Sequence, residues 1–468
     1  MSALAMRVRA AWSTLTGGTP MAFDAAAPGR QLLTWRPPVA SFGSLRQPVS
    51  VLARARDAYR NNPRARRAVE ATVAGAVSTG IRPILETADL ARKRRTHEAF
   101  LRWTDQCDFE GRRDFYGFEA DVLRGVLVDG EALVVMSPNG QGAVPLELQL
   151  LAPEFLDTSR DVPGKIDSGI EYDAEGRRVA YYLFPKHPAD IPEMLSRRVP
   201  ASNVLHIFAP PAAGVPRGVS WLAPALTALH GIQTFDEAEL TRARTASLFA
   251  GFVRTADGSN PLTNSQGDLV LEPGSISKLG PSEEITFAQP PESKSYEQFI
   301  RTQLRAIASA LSMPYELLAS DVSQITFASG RSALISWKRW LEMIQHHLLV
   351  HQCCRPIWDL WVRYALMAGV LDGDLEDYRR VRWIAPPLPM LDSRAEVLAS
   401  MQAIRAGLLS RTEAVAQTGL DAEQLEAEIA AENRRADNLG LIFDSDPRRT
   451  SAQGQEQPSQ GANDVVNN

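Results

Sequence analysis

One stretch, from Arg217 to Trp358, limits most strongly what this chain can fold into. Leu222, Leu226, Leu229, Ile232 and Phe235 step by three and four, which predicts a helix with a single apolar stripe. Ser220 suits its N-cap, and Pro224 falls in its first turn, where a missing N–H costs little. Beyond Asp236 the positions turn charged, so the far half is expected to be more exposed, ending near 254–260 at Asp257-Gly258. Short strands follow over Asp268–Glu272, Ser275–Leu279 and Glu284–Ala288, separated by Pro273-Gly274 and Gly280-Pro281 turns. A second helix opens on a Ser295-Tyr296-Glu297-Gln298 capping box, carries Ile300, Leu304, Ile307 and Leu311 on one stripe, and stops at Pro314. Residues 319–330 show no period and read as an ordered loop. Leu334, Trp337, Leu341, Ile344 and Leu348 then mark a long helix that Pro356 ends or kinks, with Trp358, Trp361 and Tyr364 continuing the apolar packing. No catalytic signature lies in this order of helix, β-insert, helix, loop and long helix.

The 468 residues suffice for about three domain-sized units. No run of about 18 apolar residues occurs, so nothing is expected to span a membrane, and the N-terminus reads as untargeted. Three cysteines, Cys107, Cys353 and Cys354, cannot build a disulfide framework and fit a reducing compartment. Charge is uneven. Residues 1–120 hold 19 Lys+Arg against 11 Asp+Glu, a net of +8, while the remainder holds 31 against 44, a net of −13. A protein that grips DNA presents many phosphate-neutralising cations, and most of this chain does the opposite.

Residues 1–49 form an Ala/Gly/Ser/Pro-rich arm with a rigid extended point at Trp35-Arg36-Pro37-Pro38, expected to be held elsewhere on the structure or by a neighbouring subunit. Residues 50–216 read as a mixed α+β domain. Helices are expected over 51–77, broken at Asn61-Asn62-Pro63 with Asn62 as a cap, over 88–104, and over Asp114–Val128. Strands are expected at Ile81–Leu85, Ala132–Met136, Leu146–Leu151, Gly169–Tyr172, Val179–Phe184 and Val204–Phe208. The cluster Arg92-Lys93-Arg94-Arg95 points around most of a helix, so a solvated face is favoured over a groove-facing nucleic-acid stripe. After Pro386-Pro387-Leu388-Pro389 come three helices, about Ser393–Ala406, one capped by Ser410, and a charged one over Asp421–Arg434. Residues 445–468 have the composition of a disordered tail.

The chain lacks G-x-x-x-x-G-K-[ST], a G-x-G-x-x-G after a strand, H-E-x-x-H and G-x-S-x-G. On a regular helix His347, His351 and Cys354 would share a face, a spacing that zinc could use with a fourth ligand from elsewhere. Half-buried packing beside Leu341, Ile344 and Leu348 is the favoured reading, and no catalytic, metal or cofactor residue is assigned.

Several segments in order resemble one family: RNNPRARRAVEATVAGAVSTGIRP, DGEALVV, RGVSWLAPALTALH, LEPGSISKLGPSEEITFAQP, MPYELLASDVSQITFASGRSAL and the Trp-rich long helix are similar to the lambda-type portal proteins of tailed bacteriophages. The resemblance spans about residues 30–440. It implies an α+β portal-protein fold assembling into a ring, usually a dodecamer, which forms the DNA channel at the capsid vertex for packaging and ejection. It implies an α/β wing over 50–216, stem helices over 217–253 and 292–318, a β-rich clip over 254–291, and a channel loop over 319–330. A long kinked helix with wing return over 331–390 and a helical crown over 391–444 complete it.

The implied channel-lining residues are Asp321, Val322, Ser323, Gln324, Ile325, Thr326 and Phe327. The implied clip docking residues are Asp268, Leu269, Val270, Glu272, Lys278, Glu283 and Glu284. Implied partners are further copies of the chain, the terminase large subunit, a major capsid or scaffolding protein, a head–tail connector and double-stranded DNA passing non-specifically, with no membrane. The implied location is the virion, and the host cytoplasm during assembly. In one departure, the family's Asn-Tyr-Ser-Ser-Ala is here Thr326-Phe327-Ala328-Ser329-Gly330, so a tyrosine hydroxyl is absent. The competing readings are a head–tail adaptor or minor capsid protein and, more remotely, a metal-dependent hydrolase.

Overall fold

The structure is a computed structural model that describes residues 47, 49–191, 194–248, 252–255, 283–286, 296–323, 325–388, 393–443, 446 and 448–450. The N-terminal half is the expected α+β unit. Helix α1 (Val49–Asn61) turns into α2 (Pro63–Ala76) at Asn62, whose Oδ1 accepts the N–H groups of Arg64 and Ala65 at 3.0 and 3.2 Å. Pro63 sits in the first turn, where it displaces no helical hydrogen bond. Strand β1 (Arg82–Leu85), α3 (Leu90–Thr104) and α4 (Phe115–Asp129) follow. Gly130 ends α4 in the left-handed region at φ 93°, and β2 begins at once.

Strand β2 (Glu131–Ser137) lies between β3 (Glu147–Leu151) and β8 (Val204–Phe208) in an antiparallel sheet. Its uninterrupted apolar run, Ala132 to Met136, is explained by burial on both faces. Ala132, Val134 and Met136 meet the helices. Leu133 packs with Leu151, Leu156, Ile170, Tyr181, Leu183 and Val204 against a second sheet. That sheet contains β4 (Ile166–Asp167), β5 (Ile170–Tyr172), β6 (Arg178–Leu183) and β7 (Arg197–Pro200), all antiparallel. In the turn between β5 and β6, Asp173 Oδ1 accepts from the N–H groups of Glu175 and Arg177, and Gly176 takes a positive φ.

Helix α5 (Leu226–Leu248) is followed by the antiparallel pair β9 (Phe252–Thr255) and β10 (Glu283–Thr286), then α6 (Tyr296–Ala310) and short α7 (Tyr315–Ala319). The expected helix start at Ser220 is corrected. Ser220 Oγ caps Leu222 N–H at 3.2 Å, but the residues up to Ala225 form turns before α5 begins. The expected end at 254–260 is corrected too. Phe252 and Val253 have the aromatic and β-branched character of a strand and pair with Thr286 and Ile285.

Helix α8 (Phe327–Met343) continues without a break through Ile344–Cys354, wound in wider π-type turns, into α9 (Arg355–Met367). Pro356 therefore does not end the helix. The Arg355 N–H reaches back five residues to Val350 instead of four, so the register has already shifted before the residue that has no N–H to give. The same shift undoes the helical spacing of the histidines. Cys354 is buried with its thiol toward Glu119, while His347 and His351 are exposed. Among the described residues no group of three metal-ligating side chains converges.

Around α9 an aromatic cluster fills the main core. Phe100 contacts Trp103, Phe115, Trp358 and Trp361 with ring centroids 5.1–5.7 Å apart. Trp103 Nε1 donates to the Leu146 carbonyl at 2.8 Å and Trp358 Nε1 to that of Tyr378 at 3.0 Å, so these indoles are buried with their donors satisfied. Strand β11 (Val381–Ile384) returns to pair with β1. Helices α10 (Ser393–Arg405), α11 (Arg411–Ala416) and α12 (Ala422–Leu439) complete the chain. Cys107, Cys353 and Cys354 are all free and buried. Among the described residues no helix is long and apolar enough to cross a membrane.

Candidate functional site

The loop between α7 and α8 is built by its own polar side chains. Asp321 Oδ1 accepts the Ser323 hydroxyl at 2.6 Å and its N–H at 3.1 Å, and Oδ2 accepts the Tyr315 hydroxyl at 3.0 Å. The bonds from Ser323, then that from Tyr315, hold the Asp321 carboxyl down at about 2, so it stays ionised at ordinary pH. Arg301 Nη2 stands 3.8 Å away and partly offsets the charge. Ser320 enters the turn in the left-handed region at φ 54°.

Thr326 and Phe327 were expected inside this loop, and here the reading is corrected. Thr326 is the N-cap of α8 and Phe327 its first residue, because Thr326 Oγ1 accepts the Ser329 N–H at 3.2 Å and Ser329 Oγ accepts that of Thr326 at 3.1 Å. Ile325 folds its side chain over Gly330, so that a Cβ there would push its Cδ1 aside. Val322 (69 % exposed) and Phe327 (62 %) project outward. The aromatic body at 327 therefore stands in solvent. From Ala306 to Gly330 the sequence contains no Lys or Arg, and Glu316 and Asp321 are its only acidic residues. Of the other sequence-expected loop residues, Gln324 lies outside the described residues.

The pair α5 and α6 carries this loop. Ile232 and Leu229 are buried, as are Leu304 and Ile307 of α6, while residues 237–244 of α5 are mostly exposed, as their charges imply. Phe235 stacks on Tyr296 at 5.6 Å with an interplanar angle of 14°, and Tyr296 donates to Asp236 Oδ1 at 2.6 Å. Arg64 of α2 reaches the other oxygen of Asp236 at 3.0 Å. Glu283 and Glu284 fall on strand β10, whereas Asp268, Leu269, Val270, Glu272 and Lys278 lie outside the described residues.

Sequence reasoning missed the joint at which the α5–α6 pair leaves the α+β unit. Glu131, 3 % exposed at its side chain, accepts Arg217 Nε at 2.7 Å, His206 Nε2 at 2.9 Å and the Gly218 N–H at 3.1 Å. Burial alone would raise this carboxyl, but the bonds from His206 and Arg217 outweigh it and hold it well below the carboxylate range. Burial pushes His206 down, so it is neutral, giving its Nε2 proton to Glu131 and facing Arg178 with Nδ1 at 3.4 Å. Gly130 and Gly218 cross so closely that a Cβ on either would collide with the other segment's backbone. The signal in the sequence was the acidic residue opening an otherwise apolar strand.

The basic cluster on α3 also has an assignment. Lys93 Nζ lies 2.8 Å from Asp421 and 2.6 Å from Glu423, Arg92 lies 3.1 Å from Asp377, and Arg95 lies 2.9 Å from Asp372. Three of its four cations tie the C-terminal segments to α3, which leaves no basic stripe for a nucleic acid.

Comparison with known proteins agrees with this arrangement. The profile of the phage portal proteins of the lambda family matches residues 28–345. A probable portal protein of Halomonas phage phiHAP-1 is 24% identical over 380 residues, covering 76% of this chain and 73% of the relative. The portal protein of Escherichia phage N15 is 21% identical over 317 residues, covering 58% of this chain and 59% of its own length. Among solved structures, a chain in the neck of an empty GTA particle superposes with a TM-score of 0.50 at 15% identity, over 80% of this chain and 94% of that one, a likeness of fold. With the family profile matched over more than half its length, the chain belongs to the lambda family of phage portal proteins.

Proposed function

We propose that, within the portal role, the loop from Ser320 to Thr326 and the exposed Phe327 line the DNA channel of a ring of identical subunits and guide the duplex without holding it. As a portal protein the chain is a structural component of the virion and forms the passage through which viral DNA is packaged and ejected. The observation that carries the lining proposal is the absence of Lys and Arg between Ala306 and Gly330, coupled with an Asp321 carboxylate that stays charged. Each phosphate contact adds affinity, and a ring multiplies every contact by its symmetry. A lining of hydroxyl, aliphatic and aromatic groups keeps that product small.

The ring is proposed to be a dodecamer. Residues 254–291 are proposed to dock the terminase large subunit and later the head–tail connector, and the wing to meet the major capsid or scaffolding protein. Assembly would take place in the host cytoplasm. The chain carries no nucleotide-binding signature, so the motor that drives DNA inward would be a separate protein.

Replacing Val322 and Phe327 together by arginine leaves the Thr326 cap intact and tests the lining. Rings should form normally while packaged DNA per particle falls. Unchanged packaging by the double variant would remove this loop from the channel.

A further inference from the structure

An apolar groove of about 320 Å³ opens where the α5–α6 pair meets α2 and α8. Trp221 and Trp340 touch side by side along its wall, with ring centroids 5.5 Å apart at 45°, and Leu311, Pro211 and Leu127 complete it. None of its lining side chains is charged, and the two indoles are only half-buried. Such a surface is costly to leave against water.

Gln47 marks where the preceding chain meets the groove's rim. Its half-buried side chain donates Nε2–H to the Asp129 carbonyl at 3.1 Å, and its Oε1 accepts the N–H of Ser220, itself a groove residue. The chain leading to Gln47 therefore starts from the rim of the groove. That chain contains Leu32-Leu33-Thr34-Trp35-Arg36-Pro37-Pro38-Val39-Ala40-Ser41-Phe42, an apolar run with a single charge. Gln47 lies nine positions after Pro38 in the sequence, enough to span up to about 30 Å when extended. Paired prolines hold an extended backbone at little further entropic cost, and aromatic-lined grooves are the surfaces that take such segments.

We propose that residues 32–42 of the same chain bind this groove, with Trp35 and the Pro37-Pro38 pair against Trp221 and Trp340. The N-terminal arm then acts as an internal strap that fastens the α+β unit to the base of the α5–α6 pair. The proposal is independent of which residues line the channel.

Chymotrypsin reports the docking in the full-length chain through cleavage after Phe42. Trp35→Ser, which cannot damage the groove itself, should speed that cleavage on the order of tenfold by populating the released arm. Trp340→Ala should do the same from the groove side. Equal cleavage rates in the parent and Trp35→Ser chains would overturn the proposal. A second test replaces Pro38 and Ala310 by cysteine, since the three native cysteines are buried. A disulfide within one chain is the expected result. A disulfide that forms equally well between chains carrying one substitution each would assign the groove to a neighbouring copy and overturn the assignment, as would no disulfide at all.

Discussion

The body of the molecule and its periphery are built on opposite terms. In the body, α3, α4 and α9 close around Phe100, Trp103, Phe115, Trp358 and Trp361, and the buried charge of Glu131 is paired, while the buried indole N–H groups of Trp337 and Trp361 have no partner among the described residues. In the periphery, α10 has no buried residue, and Val397, Leu398, Met401 and Leu408 stand exposed. The periphery leaves apolar surface that a single subunit does not cover, which suits a chain made to be one member of a ring.

The largest expected effect tests the body. Trp361→Ala should lower unfolding free energy by about 4 kcal/mol in denaturant titration, because it empties the centre of the aromatic cluster. A loss under about 1 kcal/mol would mean that the cluster is not the keystone of the fold.

Next comes Glu119, buried between α4 and the π-wound turns, where it accepts the Ile81 N–H at 2.9 Å and the Cys354 thiol at 3.3 Å. Burial raises its pKa to about 8, against the smaller opposing effect of those bonds. The folded state thus holds a proton that the unfolded chain releases near pH 4.5, so this stabilisation is full below that pH and fades as pH rises towards 8. The change is on the order of 3 kcal/mol between pH 5 and 8. Glu119→Gln should flatten the pH dependence of the melting temperature in that range, and an unchanged slope would place its origin elsewhere.

At the joint, Glu131→Gln removes the charge that Arg217 and His206 face, and should cost about 2–3 kcal/mol. The depressed carboxyl contributes stability that is present above about pH 4.5 and lost as pH falls below it. The parent should therefore lose its advantage over the variant in acid, which paired pH titrations would reveal. Thr326→Ala deletes the cap of α8 and should cost about 1 kcal/mol. The smallest effect belongs to the periphery. Met401→Ser with Leu408→Ser should change monomer stability by less than about 0.5 kcal/mol while reducing ring yield in size-exclusion chromatography. Normal ring yield would mean that these side chains face no neighbour.

Much of the fold was legible because period and caps are local. The stripes on α5, α6 and α8, the Asn62 cap and the strands β2 and β3 were readable from spacing alone. The misreadings arose where distant residues decide. Phe252–Thr255 is a strand only because residues 283–286 pair with it, and Pro356 is tolerated only because the preceding turns have widened. Strands Arg197–Pro200 and Val381–Ile384 are short and carry arginine; the first pairs with the strand just before it, Arg178–Leu183, and the second exists through Arg82–Leu85, far along the chain. The loop was found by its lack of period, but its boundary was set late because the Thr326–Ser329 cap is reciprocal with serine in place of the usual acid or amide. The Glu131 joint is tertiary throughout, and a single sequence offers only its acidic residue as a hint.

The central claim is that this chain assembles into a ring with a passage for DNA. Class-averaged electron micrographs of the purified full-length protein address it most directly. The account predicts closed rings with a central hole wide enough for a duplex, and monomers alone under every condition of salt and concentration would contradict it.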